Sequence, residues 1–342
     1  MSLTALLDEG RAGGAFPMAA AAVIDADGTV REGYCGGATP ATRWDLASLT
    51  KPRAVVTVCM RLVSQGRLAL DSPIAGLGDG AVTARMLLGH RAGLAAWRDL
   101  VAALPPGFVP GSEEARRAIA VQVHEEARVR DPGRGVAYSD LGFIVLGWHL
   151  EALTGEPLER LAPGFPGDVP LATRGVFAPT GFCPARERFL RGEVHDANAW
   201  ALGGVAGHAG QFGTLGEVGA WAGGLMRLAL AGDAGADLEV APELAGIAPA
   251  VVREFWDPAA RDPRGTWLLG WDTPSAGASS AGTRASPDAV GHLGFTGTSV
   301  WIDRALGKTF VLLSNRAALG PEAQPALRAF RPRFHDLARD LA

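Results

Sequence analysis

Apolar and polar positions follow different periods in different parts of the chain. Near both ends they form short runs of strand character, whereas the middle shows helical spacing between loops rich in Gly and Pro. Asp25-Ala26-Asp27-Gly28 separates the first two runs and predicts a hairpin turn. The predicted strands cover residues 18–24, 29–35, 266–271, 298–302 and 309–313.

Two helices are predicted beside these strands. Apolar residues recur at helical spacing between residues 48 and 62, and Gly66 ends the run, which predicts a helix over residues 48–64. Pro52 is tolerated only where backbone N–H groups lack helical partners, so this helix must begin near Ser48. A second helix is predicted near residues 322–341.

Strands at both ends with a helical middle predict an α/β (α+β) fold. One antiparallel sheet, flanked by helices, would be built from both chain termini, with a mostly helical region inserted between them. We expect residues 1–82 and 231–342 to form the sheet domain. Residues 83–230 would form the helical region that completes a cleft.

Composition narrows the function. The 342 residues carry a net charge of −4 and show no basic stripe, which argues against nucleic acid as a partner. Cys35, Cys59 and Cys183 are too widely spaced for a metal box or a disulfide framework. We expect no cofactor and no resident metal. With no apolar run of 18 residues and no basic leader, we expect a cytoplasmic protein without a membrane span.

Lysine is scarce in this chain. Only Lys51 and Lys308 occur, and the other 30 basic side chains are arginine. Arginine serves in a salt bridge or at the surface, but it cannot accept a proton, whereas a desolvated lysine can. The stretch Asp45-Leu46-Ala47-Ser48-Leu49-Thr50-Lys51-Pro52 places a serine three residues before Lys51. On a helix these side chains share one face, so Lys51 could serve as the general base for the Ser48 hydroxyl.

Two further segments contain candidate residues. Tyr138 is one of only two tyrosines and lies on the loop entering an apolar, helix-like run that starts at Leu141. His292 and Gly294 lie just before a predicted strand, where a glycine allows a backbone to approach a ligand closely. Taken singly, Tyr138 could be a packing residue and His292 a histidine with ordinary hydrogen bonds.

Together these segments resemble the serine β-lactamase and penicillin-binding protein superfamily, which combines S-x-x-K, a Tyr/Ser-x-Asn element and a Lys/His-Thr/Ser-Gly strand in one cleft. Because the middle element begins with a tyrosine, the chain is most similar to the class C-like branch and its related esterases. The stretches RLVSQGRLALDSPIAG, VTARMLLGHRAGL and GEVHDANAWALGGVAGHAGQFGT extend the resemblance from about residue 16 to 316. It implies a β-lactamase/transpeptidase-like fold.

The resemblance also implies roles for single residues. Ser48 would be the acylated nucleophile, Lys51 its proton acceptor and Tyr138 an assisting base. His292 would lie near the substrate's carboxylate or its leaving group. The backbone N–H groups of Ser48 and Phe295 would form the oxyanion hole, and Gly294 and Asp140 would contact substrate.

Two positions depart from the family pattern. Asp140 replaces the usual Asn, and it could hold Lys51 protonated or be protonated itself. Leu293 replaces the Thr or Ser of the strand motif, which weakens the case for penicillins or D-Ala-D-Ala peptides. The register is open as well, since Phe295-Thr296-Gly297 could be aligned instead of His292-Leu293-Gly294. A metal site of His195, Asp196, His208 and His292 is a remote alternative.

These observations predict a serine hydrolase that acts through an acyl-enzyme on a small ester or amide. The alternatives are a β-lactamase or D,D-peptidase, and a binding or scaffold module that keeps the pocket but turns over slowly. The sequence leaves the oligomeric state open.

Overall fold

The computed structural model describes residues 2–74, 77, 81–125, 129–166, 176–232 and 238–341. A five-stranded antiparallel sheet lies at its centre, in the order β2-β1-β9-β8-β7. These strands are β1 (Ala19–Asp25), β2 (Val30–Cys35), β7 (Val290–Leu293), β8 (Ser299–Asp303) and β9 (Lys308–Ser314). Both ends of the chain therefore contribute to one sheet, which confirms the predicted β-lactamase/transpeptidase-like fold class.

Strand β1 shows why the sheet is buried on both faces. It pairs with β2 and β9, so that Ala22 lies opposite both Glu32 and Val311. Ala20, Ala22 and Ile24 face the larger hydrophobic core, whereas Ala19, Ala21 and Val23 face the smaller one. This alternation follows from the two-residue period of a strand. A central strand covered on both faces needs apolar side chains at every position.

Helices cover both faces of the sheet. The smaller core lies between the sheet and the two terminal helices, α1 (Leu3–Ala12) and α10 (Gln324–Ala338). On the other face α8 (Leu215–Leu230) packs against Ile24 at Gly219 and Gly223. The remaining helices are α2 (Thr57–Ser64), α3 (Ala84–Leu88), α4 (Glu113–Glu125), α5 (Asp140–Thr154), α6 (Leu158–Leu161), α7 (Ala197–Ala201) and α9 (Pro249–Phe255). Two short strand pairs lie outside the main sheet: β3 (Trp44–Asp45) with β6 (Phe212–Gly213), and β4 (Pro179–Cys183) with β5 (Arg188–Arg191).

The segment after β3 differs from the single helix that its apolar spacing predicts. A 3₁₀ turn (Ala47–Leu49) is followed by a wide π turn (Lys51–Val56), and only then by α2. Pro52, at the start of the π turn, contributes no N–H donor. The helical path starts at Ala47, close to the predicted start, and Gly66 with φ 66° follows its end. Ser48 and Lys51 therefore occupy successive turns of a locally irregular helix.

The predicted strand at residues 266–271 is wrong. Those residues form a loop in which only Trp267 makes an isolated bridge, to Asp272, and Asp272 in turn bridges to Gly291 on β7. Gly270 has φ 82°, and Leu268 N–H donates to the Trp271 carbonyl, so the chain turns back on itself. The apolar residues are buried by the turn, which explains their strand-like pattern.

Helix α1 was not predicted, although its Leu3, Leu6 and Leu7 are buried against the sheet. The predicted boundaries at residues 82 and 231 stay a prediction. Among the described residues, no helix is both long and apolar enough to cross a membrane.

Candidate active site

The turn that carries Ser48 is held in a strained shape by Asp45. Ala47, directly before the serine, has φ 46°, a value that non-glycine residues rarely adopt. Asp45 Oδ1 accepts a hydrogen bond from Ala47 N–H (2.8 Å), and its Oδ2 accepts one from His195 N–H (2.7 Å). Thr296 Oγ1 donates to the Asp45 carbonyl oxygen (2.7 Å). Asp45 thereby ties the serine turn to two distant loops.

Lys51 lies at the centre of the site and is completely buried. Its Nζ donates to Asp140 Oδ1 (2.6 Å), Tyr138 OH (2.7 Å) and Ser48 Oγ (3.0 Å). The His208 carbonyl oxygen lies 3.4 Å away. The structure thus brings together the four side chains that the sequence motifs single out, although Tyr138 and Asp140 are nearly ninety residues from Lys51.

Charge and burial act in opposite directions on Lys51. Burial alone would lower the pKa of the ammonium, but the Asp140 carboxylate and the Tyr138 hydroxyl outweigh it and hold the pKa of Lys51 above its ordinary value. Burial raises the pKa of the Tyr138 phenol, and the neighbouring ammonium only partly opposes this. At neutral pH the resting site therefore holds an ammonium, paired with a carboxylate, and a protonated phenol.

Tyr138 and Asp140 are positioned by the start of α5. Ser139 caps this helix, because its Oγ accepts from Gly142 N–H (3.1 Å). The same hydroxyl donates to the Ala95 carbonyl (2.6 Å), and Ser139 N–H donates to His90 Nδ1 (3.0 Å). His90 thus holds the loop before α5, and it also packs against the Tyr138 ring at 4.7 Å between centroids.

The end of β7 forms the opposite wall. A Cβ on Gly294 would lie 2.0 Å from Thr298 Oγ1 and 2.6 Å from the Leu46 carbonyl oxygen, so only glycine allows this close approach to the serine turn. Gly294 N–H donates to the Thr298 carbonyl (2.8 Å). Phe295 N–H makes no hydrogen bond to any described residue and remains available for an oxyanion.

The two alternative registers of the strand motif occupy different places. His292 and Gly294 both line the cavity, with His292 on β7 itself. Thr296 is buried and bonded to Asp45, so Phe295-Thr296-Gly297 lies past the strand. The side chain of Phe295 is 62% exposed, with the Arg316 guanidinium 4.6 Å from its ring centre.

A cavity of about 880 Å³ opens in front of Ser48. Its lining includes Tyr138, Asp140, His292, Gly294 and Phe295, while Lys51 lies beneath it. Several lining residues had no predicted role and come from distant parts of the chain: Trp97, Phe182, Trp267, Asp272 and Arg331. Asp196 and His208, named above only for a metal site, also line the cavity. Local sequence patterns gave no reason to group them. For Asp45 a signal existed, since it begins the serine stretch, but no role followed from it.

The histidines proposed for a metal site have other partners. His208 Nε2 is paired with Asp196 Oδ1 at 2.9 Å, and Asp196 also caps α7 through Ala199 N–H. Burial alone would raise the pKa of the Asp196 carboxyl, but the charge and hydrogen bond of His208 outweigh it. The pKa of Asp196 therefore lies well below its usual range. Within the described ranges, no three His, Cys, Asp or Glu side chains group as metal ligands would.

Comparison with known proteins identifies the family of this chain. The sequence model of the Beta-lactamase family matches residues 3–331. A protein of Escherichia coli (strain K12) named "Putative D-alanyl-D-alanine carboxypeptidase" is 30% identical over 349 residues, which cover 87% of this chain and 74% of that protein. A protein of the same name from Salmonella enteritidis is 27% identical, over 84% of this chain and 72% of its own length.

Solved structures agree in fold. One described as a class C beta-lactamase has a TM-score of 0.69 at 13% identity and covers 99% of this chain and 96% of its own. Another, described as EstCE1, a hydrolase with promiscuous acyltransferase activity, has a TM-score of 0.67 at 17% identity, covering 96% and 97%. With the family match across nearly the whole chain, the protein belongs to the Beta-lactamase family and is a serine hydrolase.

Proposed function

We propose that this hydrolase is an esterase or amidase that acts on small substrates through an acyl-enzyme on Ser48. The observation that carries the proposal is the contact between Ser48 Oγ and Lys51 Nζ at 3.0 Å, with Tyr138 OH bound to the same nitrogen and the cavity directly in front. A serine nucleophile, a proton acceptor and an assisting phenol then lie within one hydrogen-bonded group.

The reaction follows from these contacts. Ser48 Oγ bonds to the substrate carbonyl carbon while its proton passes to the Lys51–Tyr138 pair. The backbone N–H groups of Ser48 and Phe295 stabilise the oxyanion. When the oxyanion collapses, the bond to the leaving group breaks and the leaving oxygen or nitrogen takes that proton. Water then attacks the Ser48 ester, and its proton is accepted and returned in the same way.

Lys51 must be unprotonated to accept a proton, and Asp140 opposes this state. We therefore propose that activity increases toward alkaline pH as the Lys51 ammonium loses its proton. The same ion pair supports the alternative of a module that binds ligand and turns over slowly, because at neutral pH most molecules would hold the protonated lysine.

A second candidate is a D,D-carboxypeptidase or β-lactamase. The names of the relatives in Escherichia coli and Salmonella enteritidis favour the carboxypeptidase. Leu293 argues against this candidate, because a leucine has no hydroxyl to contact the carboxylate of such substrates.

Labelling with a fluorophosphonate and with a fluorescent penicillin tests the proposal, followed by peptide mapping and by assays of p-nitrophenyl acetate and butyrate. We expect the fluorophosphonate to modify Ser48, the esters to be hydrolysed, and both to be lost in Ser48→Ala without loss of folding. Activity of Ser48→Ala within tenfold of the wild type would refute an acyl-enzyme at this residue. Labelling by the penicillin together with turnover of a D-Ala-D-Ala peptide would favour the second candidate. Labelling of Ser48 without turnover of any substrate would favour the slow binding module.

A further inference from the structure

The hydrogen bond of His292 determines which ring nitrogen carries its proton. His292 Nδ1 lies 2.9 Å from the carbonyl oxygen of Leu293. A carbonyl oxygen can only accept, so Nδ1 must hold the hydrogen. In the neutral ring the other nitrogen, Nε2, is then a lone-pair acceptor with no hydrogen.

The surroundings of His292 keep the ring neutral. The side chain is 1% exposed, and its ring neighbours are Tyr138 at 6.0 Å and Trp267 at 5.3 Å between centroids. Burial, together with the Lys51 ammonium, lowers the pKa of His292 to about 3. No carboxylate forms an ion pair with the ring within the described ranges. The imidazole therefore presents no positive charge at any working pH.

His292 Nε2 is buried and finds no hydrogen-bond partner among the described residues. His292 is also among the residues that line the cavity in front of Ser48. A buried acceptor without a donor costs free energy, so a ligand that supplies an N–H or O–H is favoured there. A ligand carboxylate has no hydrogen to donate and would face the lone pair of His292 Nε2.

Most charged side chains of the cavity already have partners. Asp140 and Asp196 are paired with Lys51 and His208. Arg331 also lines the cavity, but its Nη2 donates to the carbonyls of Gly294 (3.1 Å) and Thr298 (2.8 Å). Tyr138, which in the proposed reaction helps to return the proton to the leaving group, lies 6.0 Å from His292 between ring centroids.

We infer that His292 Nε2 accepts a hydrogen bond from the leaving-group side of the substrate, and that the enzyme selects leaving groups with an N–H or O–H donor over those with a carboxylate. This inference rests on the proposed function.

Three phenyl acetates substituted at the same ring position test the inference: 3-(hydroxymethyl)phenyl, 3-(methoxymethyl)phenyl and 3-(carboxymethyl)phenyl acetate. We expect kcat/KM for the hydroxymethyl ester to exceed that of the methoxymethyl ester about tenfold, the usual effect of one buried acceptor left unpaired, with the carboxymethyl ester poorest. In His292→Phe the ratio of the first two should approach one. In His292→Lys the carboxymethyl ester should become the preferred substrate. The control His149→Gln, outside the cavity lining, should keep the wild-type ratios.

A wild-type preference for the carboxymethyl ester, or an unchanged ratio in His292→Phe, would overturn the inference. Nitrogen-15 NMR of histidine-labelled protein gives a readout without turnover, with His292→Phe to assign the signal. We expect a protonated Nδ1 and a bare Nε2 from pH 5 to 9. A charged ring or the opposite tautomer would overturn the inference even if the proposed esterase activity held. Absence of any ester hydrolysis with the expected tautomer would count against the proposed function, and the same three groups would then be compared as binding ligands by the corresponding phenols.

Discussion

Lys51 Nζ lies 2.6 Å from Asp140 Oδ1, closer than to Tyr138 OH at 2.7 Å or to Ser48 Oγ at 3.0 Å. The lysine that is placed to accept a proton is therefore paired first with a carboxylate. A buried ammonium without a partner would be strongly disfavoured, so the ion pair stabilises Lys51 in its buried position. The same carboxylate makes the lysine hard to deprotonate. The consequences of this pairing can be tested residue by residue.

Replacing Asp140 by Asn removes the charge that holds Lys51 protonated. The wild-type carboxylate raises the pKa of Lys51, so its loss lowers that pKa, and more lysine is unprotonated at a given pH. We expect the rising limb of kcat/KM against pH to move to lower pH in Asp140→Asn. The limb reports the coupled group of Ser48, Lys51 and Tyr138 as a whole.

Asp25→Asn provides the matched control, since Asp25 pairs with the other lysine, Lys308, at 2.6 Å on the sheet and away from the cavity. Its pH profile should match the wild type. An Asp140→Asn limb that stays in place or moves to higher pH would show that no charged Asp140 acts on the lysine.

Lys51→Arg tests whether this position needs a proton acceptor or only a positive charge. Arginine keeps the charge and can pair with Asp140, but it cannot be deprotonated. We expect kcat to fall by about 10²–10⁴, the usual range for the loss of a general base. Lys308→Arg, which needs only to keep its salt bridge with Asp25, should retain full activity. Near-normal turnover with arginine at 51 would contradict a base at this position.

Asp45→Asn tests how the serine turn is held. Each carboxylate oxygen of Asp45 accepts one N–H, from Ala47 and from His195. An asparagine would place its NH₂ opposite one of these donors, and the strained turn before Ser48 would shift. We expect kcat to fall about 10²-fold, as for a reacting group displaced by about 1 Å, with KM little changed.

The matched control for Asp45 is Asp303→Asn, another fully buried carboxylate that accepts backbone N–H groups and pairs with Arg339 at 2.8 Å. It should lower the melting temperature and leave kcat intact. Equal effects of the two variants on kcat would mean that Asp45 acts only through stability.

Gly294→Ala should displace the end of β7. The added methyl would overlap Thr298 Oγ1 and the Leu46 carbonyl, so the strand must move away from the serine turn. We expect the free energy of unfolding to fall by about 1–3 kcal/mol, as for other overpacked sites, together with a loss of activity. Gly216→Ala, in α8 with no atom within 4 Å of the new methyl, should leave both intact or gain some stability. Urea unfolding and ester hydrolysis measure the two effects, and a fully active Gly294→Ala would contradict a close approach of these segments.

The sequence by itself determined the fold class and the first pair of proposed reacting residues. The central strands are recognisable from runs of neighbouring apolar residues. Ser48 and Lys51 are three residues apart, so their contact depends on one short helical segment. Tyr138 and Asp140 were grouped with them by the ordered motifs, not by spacing. The pattern failed at residues 266–271, because burial by a tight turn around Gly270 produces the same run of apolar residues as a strand.

Only the tertiary structure decided how the site is completed. Asp45, which holds the serine turn through Ala47 N–H, is itself anchored by the N–H of His195, 150 residues away. Arg331, on α10, donates to the Gly294 carbonyl. The proton position on His292 depends on a single contact with the Leu293 carbonyl and on burial by Trp267 and Tyr138. Periodicity reports whether a residue is buried but not which distant group buries it. The charge and burial of the groups at this site depend on such distant neighbours, so they follow from the folded chain alone.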